Sequence, residues 1–328
     1  MKDIFNTILR LLVKVALHIF YHKIHVYGKE NIPKGRPIIF IANHQNALLD
    51  PLMIATHIDQ KPHFLTRASA FKNPMVARML DFIRMIPIYR FRDGLAAMKN
   101  NQETFNKGFE VLGNGGSIVM FPEGNHSLER RVRPLTKGFA KLAFGAREAY
   151  PAAVPVIVPV GLNYSAHQYS RSKVSIFFGE ALDLENYDDQ AINMLVADAQ
   201  RALEKLTVHI TTSLSPQEKE SLKEHTDFQQ PFILDQTDLD LDKVPRAKTR
   251  ESYPRAFYRV LIAPLYLIWC YFKPKVQDPV FYGTFKFSIG LITFPLVYII
   301  ALWLLPIELY YLLLIHFLVL LSYVSRPV

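Results

Sequence analysis

Cysteine is almost absent: Cys270 stands alone among 328 residues, so an internal disulfide is excluded and nothing calls for an oxidising compartment. Its place in an apolar run suits a buried or lipid-facing thiol. Acidic residues are the scarcer charge, 29 against 38 Lys and Arg, which leaves a formal net charge of +9. That excess does not point to nucleic acid, because long Lys/Arg blocks and nucleic-acid-binding motifs are both missing. An anionic membrane surface or a phosphorylated substrate accounts for it better. Also missing are a G-x-S-x-G nucleophile elbow, a G-x-x-x-x-G-K phosphate loop and an H-E-x-x-H zinc pair. The histidines show no ligand spacing, so no metal is expected.

Half of the residues are hydrophobic, and the excess lies after Arg255, where charge becomes sparse. Ile4–Tyr21 is mostly apolar, but Arg10, Lys14, His18 and His22 recur at every fourth position and form one polar stripe on a helix. That pattern predicts a helix lying in a membrane interface. Lys14 interrupts the apolar run and no small-residue cleavage site follows, which argues against a cleaved signal peptide. An ordinary helix packed on its own domain is the competing reading.

From Pro37 onward, short apolar runs alternate with amphipathic stretches, as in an α/β domain. Ile38–Ala42, Ser117–Phe121 and Val174–Phe178 read as strands. Val154–Val160 is β-branched but holds Pro155 and Pro159, which predicts an edge or irregular strand. Helices are expected over Leu95–Leu112, stopped by Gly113, Gly115 and Gly116, over Leu135–Glu148 and over Ala191–Ser213. Pro216–Arg255 turns polar and weakly periodic. Two apolar blocks follow, Ala256–Phe272 and Phe285–Val324, the second with Pro306 and Glu308 near its middle. A crossing helix needs about 17–25 apolar residues, so the first barely qualifies and the second suits two short passes or a hairpin.

Three short segments carry chemistry. In Asn43-His44-Gln45-Asn46-Ala47-Leu48-Leu49-Asp50-Pro51, Asp followed by Pro reads as a helix N-cap. A carboxylate can also hold one imidazole nitrogen protonated and leave the other to take a proton from a hydroxyl. In Phe121-Pro122-Glu123-Gly124-Asn125-His126-Ser127, a turn follows a strand, the usual place for a site in an open α/β sheet. In Pro87-Ile88-Tyr89-Arg90-Phe91-Arg92-Asp93, alternation puts Arg90 and Arg92 on one face, and guanidinium groups grip phosphate by paired hydrogen bonds.

Together with Val154–Val160, these segments resemble, in order and spacing, the four blocks of the glycerolipid acyltransferase family, across roughly His44 to Tyr164. The resemblance implies that His44 and Asp50 are catalytic, and that Arg90, Arg92, Glu123 and Gly124 bind the acceptor. Asn43, Asn125 and Lys137 are possible auxiliaries. Two departures stand out: five residues rather than four separate His44 from Asp50, and Asn125-His126 replace the usual Thr-Arg. Both are similar to the fungal glycerol-3-phosphate and dihydroxyacetone-phosphate acyltransferases. Arg130, Arg131, Arg133 and Lys137 are the cations near enough to replace the absent arginine.

The expected fold is therefore α/β, with a mixed, largely parallel central sheet and flanking helices. An N-terminal interfacial helix (1–30), an acyltransferase domain (31–213), a polar linker or arm (214–255) and an apolar membrane region (256–328) divide the chain. The resemblance implies acyl transfer from acyl-CoA or an acyl-carrier protein to glycerol 3-phosphate or lysophosphatidate, without a cofactor. The expected setting is an integral membrane protein with its catalytic domain on the cytoplasmic face and membrane lipids as partners. The alternative is a non-catalytic membrane scaffold that keeps the fold for lipid binding.

Overall fold

The run Ile-Ile-Phe-Ile-Ala has no polar side chain to turn towards water, so its strand must be covered on both faces. It forms β2 (Ile38–Ala42), whose five residues are all buried. Residues of even number (Ile38, Phe40, Ala42) join one core with Leu17, Leu49, Met53 and Val158, while Ile39 and Ile41 join the other with Phe139, Leu142 and Leu195. The period of two thus assigns each side chain to a layer.

The computed structural model describes residues 2–89, 101–188, 190–211, 226–234 and 262–325, with positions 217, 218 and 222. Its main sheet runs β1 (Lys23–Tyr27), β7 (Lys173–Phe178), β6 (Val156–Tyr164), β2, β5 (Ser117–Met120), β3 (His63–Arg67) and β4 (Met85–Ile88), with short β8 (Leu182–Asp183) beside β6. Pairings are parallel except those of β6 with β7 and β8. The sheet is mixed and largely parallel, as expected. The cores on its two faces are completed by α1 (Lys2–Phe20) and α2 (Leu49–His57) on one side. On the other lie α4 (Asn101–Gly113), α5 (Gly138–Ala149) and α6 (Ile192–Leu206). Between α2 and α4 comes α3 (Pro74–Phe82), capped by the Asn73 carboxamide.

Three expectations are corrected. The strand expected at an edge is interior: β6 runs to Tyr164 between β2 and β7, and all nine residues are buried. Pro159 is tolerated because its carbonyl faces the side where β8 has ended and β7 has not begun, and accepts the Gly179 N–H at 2.9 Å. A missing N–H on that side removes no ladder bond. The helix expected to reach Ser213 ends at Leu206, and β9 (Val208–Ile210) then pairs in parallel with β10 (Phe232–Leu234). The expected cap at Asp50 is also replaced: Leu48 occupies that position and Asp50 lies inside the first turn.

The polar stripe of α1 flanks the side that packs on the domain: Arg10 and His18 make contacts there, while Lys14 and His18 remain exposed. Arg10 Nη2 donates to the Ile58 carbonyl at 2.6 Å and His18 lies against His57, while Val13 and Leu17 are buried. Ile4, Ile8, Leu11, Leu12, Val15 and Ile19 point outward and are exposed. Met75 and Met79 of α3 are exposed too, and Phe82 of α3 packs edge-to-face on Phe5 at 5.1 Å. Large apolar patches on a surface mark contact with a partner or a membrane.

The C-terminal region comprises α7 (Ala263–Phe272), α8 (Phe281–Leu304) and α9 (Tyr310–Ser325), with Pro306 in the break between the last two. Among the described residues, α8 is the one helix long and apolar enough to cross a membrane. Its first turns pack on the α/β domain, where Phe287 is 3% exposed and meets Phe20 edge-to-face.

Gly161 is where β6 meets the end of α6: a Cβ there would lie 2.1 Å from the Leu206 carbonyl oxygen. Gly161→Ala is expected to destabilise the protein by about 1–3 kcal/mol, the usual range for overpacking. An unchanged denaturation midpoint would show that α6 is not seated there.

Candidate functional site

Three neighbouring parallel strands, β6, β2 and β5, end on the same side of the sheet, and the segments leaving them build one site. Carboxyl ends of strands are where open α/β sheets gather ligands. From β2 the chain enters Asn43, whose carboxamide donates to the Leu162 carbonyl at 2.9 Å and accepts the Leu162 N–H at 2.8 Å. These two bonds extend the β2–β6 seam by one side chain and fix the position of His44. The five residues between His44 and Asp50 close through Ala47, whose φ of 41° is left-handed.

Asp50 is fully buried, and its Oδ2 takes the Gln45 N–H at 2.8 Å, the Asn46 N–H at 2.7 Å and His44 Nδ1 at 2.8 Å. Its Oδ1 accepts the Tyr164 hydroxyl at 2.6 Å. An ionised carboxylate only accepts, so His44 Nδ1 carries the proton and Nε2 is the basic nitrogen. The first turn of α2 adds a positive dipole end beside the carboxylate. Phe121, at the end of β5, stacks on the His44 ring at 4.1 Å with 21° between planes.

Glu123 comes from the same turn. Its Oε1 accepts the His44 N–H at 3.3 Å, and its Oε2 accepts Arg133 Nε at 2.6 Å. Burial pushes this carboxyl up to about 7, while Arg133 pulls the other way. Gly124 turns the chain at a φ of 77°, a conformation glycine adopts at little cost. Asn125 accepts from Arg133 through both its side chain and its carbonyl.

Of the four cations near the third block, only Arg133 reaches this cluster. Arg130 is buried elsewhere, donating to the Tyr164 and Ser165 carbonyls with its guanidinium over Phe228, and burial lowers its pKa to about 9. Arg131 is exposed beside Glu129, and Lys137 is exposed at the start of α5. Arg90 and Arg92 lie outside the described residues.

Sequence reasoning missed the second ring of partners. Tyr164 is the end of β6, where alternation from Val158 through Val160 and Leu162 already aims it at the α2 layer. Burial and the Asp50 charge raise its phenol well above the usual range, so it remains a donor. Tyr21 accepts from the Asn46 carboxamide at 3.2 Å, and His167 meets Gln45 Oε1 through Nε2 at 2.8 Å. Burial holds the His167 imidazole well below its ordinary pKa and therefore neutral.

A histidine oriented by a buried carboxylate at the strand ends of an α/β sheet has the geometry a general base needs. The family model described as Acyltransferase matches residues 23–163, so the α/β domain is similar to the acyltransferases that this model describes. A chloroplastic 1-acyl-sn-glycerol-3-phosphate acyltransferase of Brassica napus is 24% identical over 47% of this chain and 41% of its own length. The glycerol-3-phosphate O-acyltransferase 1 of Saccharomyces cerevisiae is 20% identical over 56% of this chain and 35% of its own length. The chain therefore spans less than half the length of these two relatives. The crystal structure of the Thermotoga maritima 1-acyl-sn-glycerophosphate acyltransferase aligns with a TM-score of 0.47 and 21% identity, over 62% of this chain and 80% of that one.

Tyr164→Phe removes one of four hydrogen bonds to a buried carboxylate, and is expected to lower stability by about 1.5–3 kcal/mol, the range for bonds to charged groups. Calorimetry of the two forms checks it. An unchanged midpoint would mean that water replaces the hydroxyl.

Proposed function

We propose that the chain is an O-acyltransferase that moves a fatty acyl group from a thioester, of coenzyme A or of a carrier protein, to a hydroxyl of glycerol 3-phosphate or of 1-acylglycerol 3-phosphate. The observation that carries this reading is the 2.8 Å contact of His44 Nδ1 with buried Asp50, inside the acyltransferase match. The two acceptors are those named for the relatives, 1-acylglycerol 3-phosphate and glycerol 3-phosphate. Arg90 and Arg92, with Glu123 and Gly124, are assigned to acceptor binding, since forked guanidinium groups suit a phosphate.

In this mechanism His44 Nε2 takes the acceptor's hydroxyl proton as the oxygen attacks the thioester carbonyl. Asp50 holds the ring in the required tautomer and stabilises the imidazolium that forms. The tetrahedral intermediate collapses, the carbon–sulfur bond breaks, and the imidazolium returns its proton to the departing thiolate. One ester and one thiol result. The thioester supplies the driving force, so the proposed reaction requires no nucleotide or metal.

The proposed setting is a membrane. The outward apolar face of α1, its neighbour α3 and the long apolar α8 support it, since an interfacial helix and a span are two independent attachments.

His44→Ala is expected to cut thioester consumption roughly 10²–10⁴-fold, the usual weight of a general base, with a lowered melting midpoint but a protein still folded at the assay temperature, because one of the four donors to buried Asp50 is lost. Near-normal turnover in that variant, measured with purified protein and both acceptors, would remove His44 from the mechanism. A wild-type protein that consumes no thioester with either acceptor would leave the scaffold reading.

The full chain is expected to stay with pelleted membranes after an alkaline wash. Release into the supernatant would exclude α8 as a span.

A further inference from the structure

The first turns of α8 do not simply leave the α/β domain behind. A Cβ on Gly283 would lie 2.8 Å from Asn46 Oδ1, 3.0 Å from the His167 carbonyl oxygen and 3.0 Å from Leu49 Cδ1. All three belong to the segments around the dyad, so the backbone of α8 rests directly on the loop that carries His44. Lys286 Nζ donates to the Gln168 carbonyl at 2.7 Å, and Gln168 Nε2 reaches the Pro279 carbonyl at 3.4 Å. Phe287 closes the contact from within the core.

At the upstream end of this contact stands Asp278. Its Oδ1 accepts the Val280 N–H at 3.0 Å and its carbonyl accepts the Phe281 N–H at 3.1 Å, so it sets the turn that leads into α8. Its Oδ2 lies 3.5 Å from Nε2 of His126. His126 packs edge-to-face on Phe281, with ring centres 4.7 Å apart. The same imidazole stands perpendicular to the His44 ring, at 5.7 Å between centres. His126 is the residue found where the family's third block usually carries arginine, and no step of the mechanism above uses it.

We propose that Asp278 and His126 are positioning residues for His44, and that the head of α8 is thereby a wall of the active site. The proposal rests on the acyl-transfer reading for its kinetic part. Asp50 fixes His44 through Nδ1 within the ring plane, and Phe121 fixes its tilt by stacking. His126 closes a further side, and Asp278 with Phe281 holds His126 from the C-terminal region. A carboxylate beside an imidazole favours the orientation in which a ring nitrogen faces it, which here sets the plane of His126. Misplacing a base by about an ångström costs up to about 100-fold in rate, so a wall that holds a ring leaves its mark on turnover rather than on substrate affinity.

The test uses the full chain in detergent or vesicles. Asp278→Ala and His126→Ala are each expected to lower kcat roughly 10–100-fold with both KM values within about twofold of wild type, while Asp278→Glu recovers most of the rate. The double variant is expected to be no slower than His126→Ala alone, because Asp278 acts through His126. Gly283→Leu, which lifts α8 off the loop, is expected to lower kcat in the same way without loosening membrane attachment. Independent effects of the two single changes, or full kcat in Asp278→Ala, would overturn the proposal while leaving the loss in His44→Ala, and so the acyl-transfer reading, intact. Histidine-ring NMR decides the matter even where no turnover is found with either acceptor. In Asp278→Ala the His126 and His44 ring signals are expected to shift while that of His25, on β1, stays. Unmoved His126 and His44 signals would overturn the proposal.

Discussion

A carboxylate with no exposure to water is costly unless every lone pair it offers is used. Asp50 meets that demand with two backbone amides, an imidazole and a phenol. Each donor comes from a segment that must therefore be in place: the 43–48 loop, His44 itself and the end of β6. Tyr164 reaches Asp50 only because β6 runs beyond the end of β2, and Asn43 keeps the two strands in register where their ladder stops. The site is thus a consequence of where three strands end, and the buried charge penalises any other arrangement of those ends.

Much of this was legible in the sequence, and unevenly so. The central strands announce themselves by runs with no polar side chain, and His44 with Asp50 by a spacing that sets both in one turn-and-helix unit. Local rules failed where a longer-range partner decided the outcome. Pro159 reads as an edge signal until it is seen to face a gap between two partners. Asp50 before Pro51 reads as a cap, but the carboxylate gains more from closing the 43–48 loop than from the end of α2. The orientation of α1 was hidden because Arg10 reaches the carbonyl of Ile58, just past the end of α2, so that the apolar residues on the opposite side face outward.

The third block illustrates a substitution that spacing alone does not resolve. Asn125-His126 stand where the pattern of the resembled family usually has Thr-Arg, and a guanidinium still reaches the turn, from Arg133 further along. Arg133 is bound to Glu123 and Asn125, so it braces the turn; Arg130, three residues earlier, is bound to β6 carbonyls and braces the strand. Two neighbouring arginines in one segment have different tasks because one faces a carboxylate and the other a row of backbone oxygens.

Gly283 has a geometric consequence for where the chemistry takes place. Because the backbone of α8 comes close to the loop bearing His44 there, the position of the helix sets the position of the dyad along it. Beyond Phe287 the helix continues to Leu304, which at about 1.5 Å per residue is roughly 25 Å, comparable with a hydrocarbon core of about 30 Å. With α8 as a span, that length leaves the imidazole at the headgroup level and no deeper. A water-borne phosphate and a lipid-borne acyl chain would then meet at the one plane that both can reach.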